Sequence, residues 1–203
     1  MRITLLALPL LFAACAKDVG EGKTKAKVGE ATQANTKAVG KTLDIDTSKS
    51  KLSALGAKIT GKHVLEFNNW KGTVTLDGDT PTGLDFAVTV GSLKTDSARL
   101  DKHLKSPDFF NISAHPDATF KATAIKAKAA GAATHEITGN LTIRGKSKQV
   151  IFPATVKVSA KTVEANAEFV IDRHDFGVSY PGKPDDLIQR NVVLTIKVVA
   201  PRA

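Results

Sequence analysis

From residue 43 onward, the hydrophobic and polar positions of this sequence alternate. The clearest alternation occupies residues 84–90, 137–143, 163–171 and 192–198, and a further run at 150–158 is interrupted by Pro153. Shorter runs lie at 43–46, 51–55, 63–67, 73–76 and 120–127. A period of two with one apolar face is typical of strands in an antiparallel sheet. The pattern therefore predicts an all-β chain.

Glycine-containing turns separate these runs, among them Gly78, Gly83, Gly131 and Gly145. Eight or more strands with almost no helix between them indicate a barrel or a sandwich. An antiparallel barrel of about eight strands has an interior that is either filled by side chains or just wide enough to hold one small ligand.

The predicted inward faces mix phenylalanine with the small residues Gly139, Ala165 and Ala167. Small inward residues are compatible with room for an elongated apolar ligand. Because alternating small and large residues also fill the taper of a solid barrel, both kinds of interior stay open at this point.

Residues 95–111 are the exception to the strand pattern and predict one short helical excursion. Leu93, Leu100 and Leu104 lie on a helix-like stripe, and Thr, Asp and Ser at 95–97 supply candidate N-caps. Ser106-Pro107 then opens a short turn. We expect the excursion to cover an opening or an edge of the sheet.

The turn after the excursion carries two adjacent phenylalanines, Phe109 and Phe110. Neighbouring side chains on a turn point in different directions, so one burial site does not accommodate both. Two interpretations follow: ordinary core packing of the excursion, or an apolar gate beside Lys102 and Lys105.

The N-terminus predicts a targeting segment. Arg2 precedes an apolar run that is too short to span a bilayer and fits a secretory signal over residues 1–14. The run ends in Phe-Ala-Ala-Cys, which resembles a bacterial lipobox, and this makes Cys15 the predicted lipidation site. The alternative is ordinary cleavage near Ala14 that leaves Cys15 as a free thiol. Lipidation predicts an exported lipoprotein anchored to the cell envelope rather than spanning a membrane.

Residues 15–41 are polar, lack aromatic residues and carry an excess of lysine, so they are predicted to be a flexible basic tether. Residues 42–203 are then the barrel domain. The whole chain has a formal net charge of +9. Aromatic residues make up only 5% of the chain, so few side chains could stack on bases, and no nucleic-acid partner is predicted.

Candidate chemistry is sparse. The single cysteine excludes an internal disulfide and a multi-cysteine metal site, and the five histidines show no metal-ligand spacing. No nucleophile-elbow or phosphate-loop motif is present. We therefore expect no metal, no cofactor and no catalytic residue.

Several segments resemble the YceI-like family. They are LDKHLKSPDFFN at 100–111, PDATF at 116–120, GNLTIRG at 139–145 and FVIDRHDFGVSY at 169–180, with KITGKH at 58–63 similar to one branch. The resemblance covers about residues 43–200 in the family's order. The chain departs from other branches in its start, which lacks their His-Ser pair, and in its lysine-rich N-terminal segment.

The resemblance implies a lipocalin-like antiparallel barrel that binds a polyisoprenoid, an isoprenoid quinone or a similar long amphiphile, with no established shared catalysis. Combined with the alternation, it predicts a cavity lining, a gate and a headgroup contact. The lining candidates are Phe86, Val88, Leu141, Ile143, Phe169 and Ile171. The gate candidates are Phe109, Phe110 and Phe120, and the headgroup candidates are Arg173, His174 and Tyr180.

Two other functions compete with lipid binding. A structural or interaction module would have a solidly packed barrel. An enzyme acting on a bound lipid would use His174 with Asp172 or Asp175 as acid and base.

Overall fold

The computed structural model describes residues 17–33 and 38–202, and Cys15 lies outside these residues. The described part consists almost wholly of strands. They are β1 (Lys27–Glu30), β2 (Lys41–Asp44), β3 (Lys51–Lys58), β4 (Gly61–Phe67), β5 (Trp70–Asp77), β6 (Thr80–Thr89), β7 (Leu93–Lys94), β8 (Asp117–Ala130), β9 (Ala133–Ile143), β10 (Lys146–Val158), β11 (Thr162–Asp172), β12 (Gly182–Lys183), β13 (Asp186–Leu187) and β14 (Asn191–Pro201). The single α-helix among the described residues is α1 (Ala98–Lys105), and 3-10 turns occupy Val90–Ser92 and Arg173–Phe176.

The long strands form one curled antiparallel sheet. Its order is β2-β5-β6-β8-β9-β10-β11-β14-β3-β4-β7, with β1 added beside β10. The sheet curls back on itself: two residues separate β4 from β5 along the chain, and the Asp46 amide, which follows β2, donates to the Val199 carbonyl of β14 at 2.9 Å. This is the predicted all-β, lipocalin-like barrel. The strand count exceeds eight because short strands are added to the wall and because β12 and β13 form a separate hairpin.

The predicted alternation sets the inner face of the wall. Leu84, Phe86, Ile137 and Phe169 point into the core, and none of them is more than 6% exposed. Pro153, which interrupts the alternation of β10, lies where this strand changes partner. Residues 148–151 of β10 pair with β1, whereas residues 155–158 pair with β11. A residue without a backbone N–H fits a point where ladder hydrogen bonds are interrupted.

The predicted helical excursion is confirmed. The Ser97 side chain accepts from the Leu100 amide at the start of α1, and buried Asp101 accepts from the amide and hydroxyl of Thr95 at 2.7 and 2.8 Å. Leu104 is buried beneath the helix. We call α1 together with residues 106–112 the lid. No helix in the described part of the chain has the length and apolar character needed to cross a membrane.

The N-terminal segment differs from the predicted flexible tether over the described residues 17–33. β10 and β11 separate towards one end of the barrel, and β1 pairs with β10 in the gap while Lys25 bridges Val170 of β11. Ala26 is only 5% exposed and belongs to the core. Backbone pairing, which polar composition does not reveal, holds this segment against the wall.

Gly20 packs against the outer side of β11. A Cβ atom at this position would come within 3.1 Å of both Val170 methyl carbons. The segment thus covers an outward-facing valine of β11, which explains how Val170 is 2% exposed on the outer side of the sheet.

Candidate functional site

The barrel encloses a cavity of about 260 Å³ between the wall and the lid. Ligand pockets usually begin at about 300 Å³, and a dry apolar cavity of about 150 Å³ already binds a benzene-sized molecule. The lining is mostly apolar. Its principal members are Leu52, Ala54, Leu65, Phe67, Phe86, Val88, Leu100, Leu104, Phe109, Phe110, Phe120, Leu141, Ile143, Phe152, Phe169, Ile171, Val192, Leu194 and Ile196.

Inward-facing residues beside the cavity are only half-buried. Val88, Leu141, Ile143 and Leu194 have this intermediate exposure although they point inward. In a solid core such side chains would be fully covered by neighbours. Their exposure is to the space inside the barrel, and this part of the interior is not packed solid.

Aromatic side chains close the cavity at one end. Phe152 stacks on Phe169 with ring centroids 4.1 Å apart, and Phe120 lies 5.7 Å from Phe152. Phe86 continues the row at 6.0 Å from Phe120, followed by Trp70 at 5.9 Å from Phe86. We call these five rings the aromatic floor. The sequence placed Phe86 and Phe169 in the lining and did not single out Trp70 or Phe152. It assigned Phe120 to a gate, whereas the structure places this ring in the floor.

The small inward residues do not border the cavity, so the structure decides between the two interpretations that the sequence left open for them. A Cβ atom on Gly139 would come within 2.4 Å of the Phe120 ring, so this glycine makes room for the floor. Ala165 and Ala167 are buried in the same core cluster and do not border the cavity. At Gly139 a small residue lies against the large Phe120 ring, which is how small and large residues fill the taper of a barrel.

The lid forms the side of the cavity opposite the wall. Leu100 and Leu104 of α1 line it together with the two predicted gate residues, Phe109 and Phe110. Phe109 is 5% exposed, whereas Phe110 is half-buried. Phe109 is therefore packed in the core, as one interpretation predicted, and both phenylalanines also border the cavity.

Arg173 is more deeply buried than Lys58, the other basic residue that borders the cavity. It is 6% exposed, and its guanidinium donates to the carbonyls of Gln189, Val178 and Ile188 at 2.9, 2.6 and 3.2 Å. Burial lowers the pKa of Arg173, and the neighbouring Asp172 opposes this shift. The side chain thus presents a fixed, buried positive charge to a largely apolar space.

The other two headgroup candidates lie elsewhere. Neither His174 nor Tyr180 borders the cavity. Tyr180 packs beneath the lid, with its ring 5.1 Å from His103 and 5.3 Å from Phe109. The Nε2 atom of His174 is buried without a hydrogen-bond partner. These residues lie in and after the 3-10 turn that follows β11. The two-residue alternation stops where the strand ends, so it does not predict which side of the wall they face.

The cavity has polar residues at the end away from the floor. The polar residues are Lys58 at the end of β3 and His63 on β4, and they border the cavity beside Gly56 and Ile188. We call this end the mouth. Lys58 forms an ion pair with Asp186, which lowers the pKa of that carboxyl. His63 Nδ1 lies 2.7 Å from Asp96 Oδ1.

Sequence reasoning missed about half of the wall. Of its candidates, Phe86, Val88, Phe109, Phe110, Phe120, Leu141, Ile143, Phe169, Ile171 and Arg173 line the cavity. Most of the missed residues lie on β3, β4 and β14, and include Leu52, Leu65 and Leu194. Phe152 on β10 and Leu100 and Leu104 on α1 were also not predicted to line the cavity. Alternation over 192–198 was a usable signal for β14. Within residues 17–33 and 38–202, no three His, Cys, Asp or Glu side chains are grouped to hold a metal ion.

Comparison with known proteins identifies a matching domain family. The family model of the YceI-like domain matches residues 43–200. A UPF0312 protein of Pseudomonas fluorescens (strain SBW25) is 33% identical over 136 residues, which are 63% of this chain and 70% of that protein.

Solved structures share the fold. BcnA of Burkholderia cenocepacia has a TM-score of 0.70 at 26% identity, covering 77% of this chain and 99% of BcnA. A polyisoprenoid binding domain from Saccharophagus degradans, implicated in plant cell wall breakdown, has a TM-score of 0.65 at 14% identity, covering 79% of this chain and 98% of that domain. At that identity the second likeness is one of fold alone.

Proposed function

The chain belongs to the YceI-like family, and we propose that it binds a polyisoprenoid or isoprenoid quinone in its barrel, without catalysis, as an envelope lipoprotein. The observation that carries the proposal is the mostly apolar cavity between the lid and the aromatic floor. The similarity in fold to a polyisoprenoid binding domain supports the same ligand class.

The apolar tail of such a ligand fits the lining. Each Å² of hydrocarbon removed from water contributes about 25 cal/mol, and side chains such as Leu141 and Leu194 that are half-exposed inside the barrel gain cover as well. The aromatic floor limits how far the tail reaches. A long ligand therefore keeps its remaining length towards the mouth.

The polar end of the ligand is placed by Arg173. A guanidinium carries five N–H donors. Arg173 donates one hydrogen bond to each of three carbonyls, which leaves donors for a ligand oxygen. Lys58 and His63 add polar contacts at the mouth. Buried donors of this kind fix orientation and give specificity, whereas the apolar lining supplies affinity.

Envelope attachment is proposed from the sequence. Residues 1–14 act as the signal peptide, and Cys15 carries the lipid after cleavage. One acyl chain gives marginal membrane binding, so stable anchoring takes further acyl chains or a second contact.

A cavity-filling substitution tests the binding proposal. Leu194→Trp on β14 adds bulk to the lining, and we expect it to lower the affinity for a long-chain isoprenoid about tenfold or more, while the fold persists. Lys197→Trp, at an exposed position of the same strand, is the control and should bind like the wild type. Titration with a fluorescent polyprenyl probe measures both. Equal affinities for the two variants would argue that the ligand lies outside the barrel.

A further inference from the structure

We propose that the mouth of the cavity docks on the surface of an anionic lipid bilayer through Ile59 and Leu187. This inference deepens the proposed function and rests on it for the ligand that passes through the mouth. The apolar contacts, the charge around them and the course of the N-terminal segment each support it.

Two strongly exposed apolar side chains meet at the mouth. Ile59, at the turn between β3 and β4, is 50% exposed, and Leu187 on β13 is 48% exposed. The Ile59 amide donates to the Leu187 carbonyl at 3.2 Å, so the two residues are neighbours. Each is directly next to a residue that borders the cavity, Lys58 and Ile188 respectively. We call Ile59 and Leu187 the apolar rim.

Lysines flank the apolar rim. Lys62 and Lys183 are exposed and have no ion-pair partner among residues 17–33 and 38–202. Asp186 is already engaged by Lys58 and by Thr60, and Asp185 is the remaining exposed acid of the hairpin loop. Lysines close to an anionic bilayer are attracted by its negative surface potential. Apolar side chains flanked by such lysines match the layered chemistry of a lipid surface.

The N-terminal segment reaches the wall at the same end of the barrel. The Gln189 side chain donates to the Lys17 carbonyl at 3.1 Å and accepts from the Val19 amide at 2.8 Å. The Gln189 amide in turn donates to Ala57 of β3 at 2.8 Å. The Lys17 backbone is therefore bound to Gln189, which follows Leu187 by two residues.

Cys15 precedes Lys17 by two residues, and two residues span at most about 7 Å. A lipid on Cys15 would then enter the bilayer beside the apolar rim. The anchor and the rim together hold the mouth against the membrane. In this orientation a long apolar tail passes between bilayer and cavity with little of its surface exposed to water, which lowers the barrier to exchange.

Tryptophan fluorescence tests the orientation in the full chain. Leu187→Trp places an indole at the apolar rim. Val39→Trp places one at the far end of the barrel, where Val39 is 67% exposed and its carbonyl accepts from Thr82. The native Trp70 is buried and supplies the background. Both variants are added to vesicles of equal parts phosphatidylglycerol and brominated phosphatidylcholine.

We expect the indole of Leu187→Trp to be quenched several-fold more than that of Val39→Trp, with its emission shifted to shorter wavelength. Equal quenching of the two variants, or none, would overturn the docking proposal. This readout needs no bound ligand. A wild-type protein that takes up no isoprenoid even from detergent would contradict the proposed function instead, and the quenching result would still decide the docking.

A second measurement links docking to exchange. The double substitution Ile59→Glu and Leu187→Glu should slow the uptake of a polyprenyl probe from the same vesicles several-fold. Loading from detergent should stay unchanged, because neither residue lines the cavity. Unchanged uptake from vesicles would show that the rim has no part in the transfer.

Discussion

Arg173 shows how a single residue serves both fold and site. Its guanidinium ties the 3-10 turn after β11 to the Ile188 and Gln189 carbonyls before β14, and also bonds the Val178 carbonyl just after the turn. The same side chain borders the cavity. Its motif position in the sequence predicted a headgroup contact, and the structure places Arg173 at the border of the cavity. The Ile188 and Gln189 carbonyls lie 15 and 16 residues away in sequence, so these hydrogen bonds were not predictable from the pattern.

Replacing Arg173 should therefore affect stability as well as binding. We expect Arg173→Met to lower the free energy of unfolding by about 2 to 4 kcal/mol, because it leaves buried carbonyls without donors. Arg99→Met, at an exposed position of α1 with no ion pair in the described part of the chain, should change stability by less than about 0.5 kcal/mol. Chemical denaturation compares the two. Equal stabilities would contradict the role assigned to the three hydrogen bonds.

Asp172 makes stability depend on pH. Burial raises its pKa, but the hydrogen bonds from Arg190 and from the His174 amide, with the charge of Arg190, outweigh burial and hold the pKa below its usual value. A lowered pKa means that the ionised carboxylate stabilises the fold above the ordinary aspartate pKa of about 4, and that this contribution is lost as pH falls through the lowered value.

We expect Asp172→Asn to be less stable than the wild type at neutral pH, with the difference shrinking below about pH 4. Arg190→Gln should reduce the same pH dependence, because Arg190 lies 2.6 Å from the Asp172 carboxylate. Urea denaturation at a series of pH values measures both effects. A difference that stays constant throughout the acid range would contradict this assignment.

The elements were predictable to different degrees. Long strands such as β11 follow directly from alternation, because burial on one face repeats every second residue. The lid followed from capping and a leucine stripe. β1 was not predictable, since its four residues gain their stability from backbone hydrogen bonds in a gap between β10 and β11 that exists only in the folded barrel.

The contribution of β1 to the wall is testable at Ala26, whose side chain is buried in the core. Ala26→Asp places a carboxylate there, and we expect it to lower the free energy of unfolding by about 1 to 3 kcal/mol and to expose residues 17–33 to protease. Lys27→Asp introduces the same side chain at the neighbouring exposed position and is the control. Identical protease resistance of the two variants would mean that β1 does not seal the gap.

At the scale of the whole molecule, the barrel is packed at one end and hollow at the other. The aromatic floor fills the lower half, so the sequence-based alternative of a solid interior describes that half alone. The space lies under the lid, where wall residues are half-exposed inward. Alternation identifies which side chains face the interior but not whether opposing side chains meet, and for this reason the cavity's extent was not predictable.

The most direct test of lipid binding is the mass of what the protein carries. The chain should be purified from bacterial membranes without added lipid, and its complex measured by native mass spectrometry, followed by solvent extraction. We predict one long isoprenoid lipid per chain, reduced in Leu194→Trp and retained in Lys197→Trp. A ligand-free wild-type protein that also takes up no polyprenol or isoprenoid quinone on incubation would contradict the account.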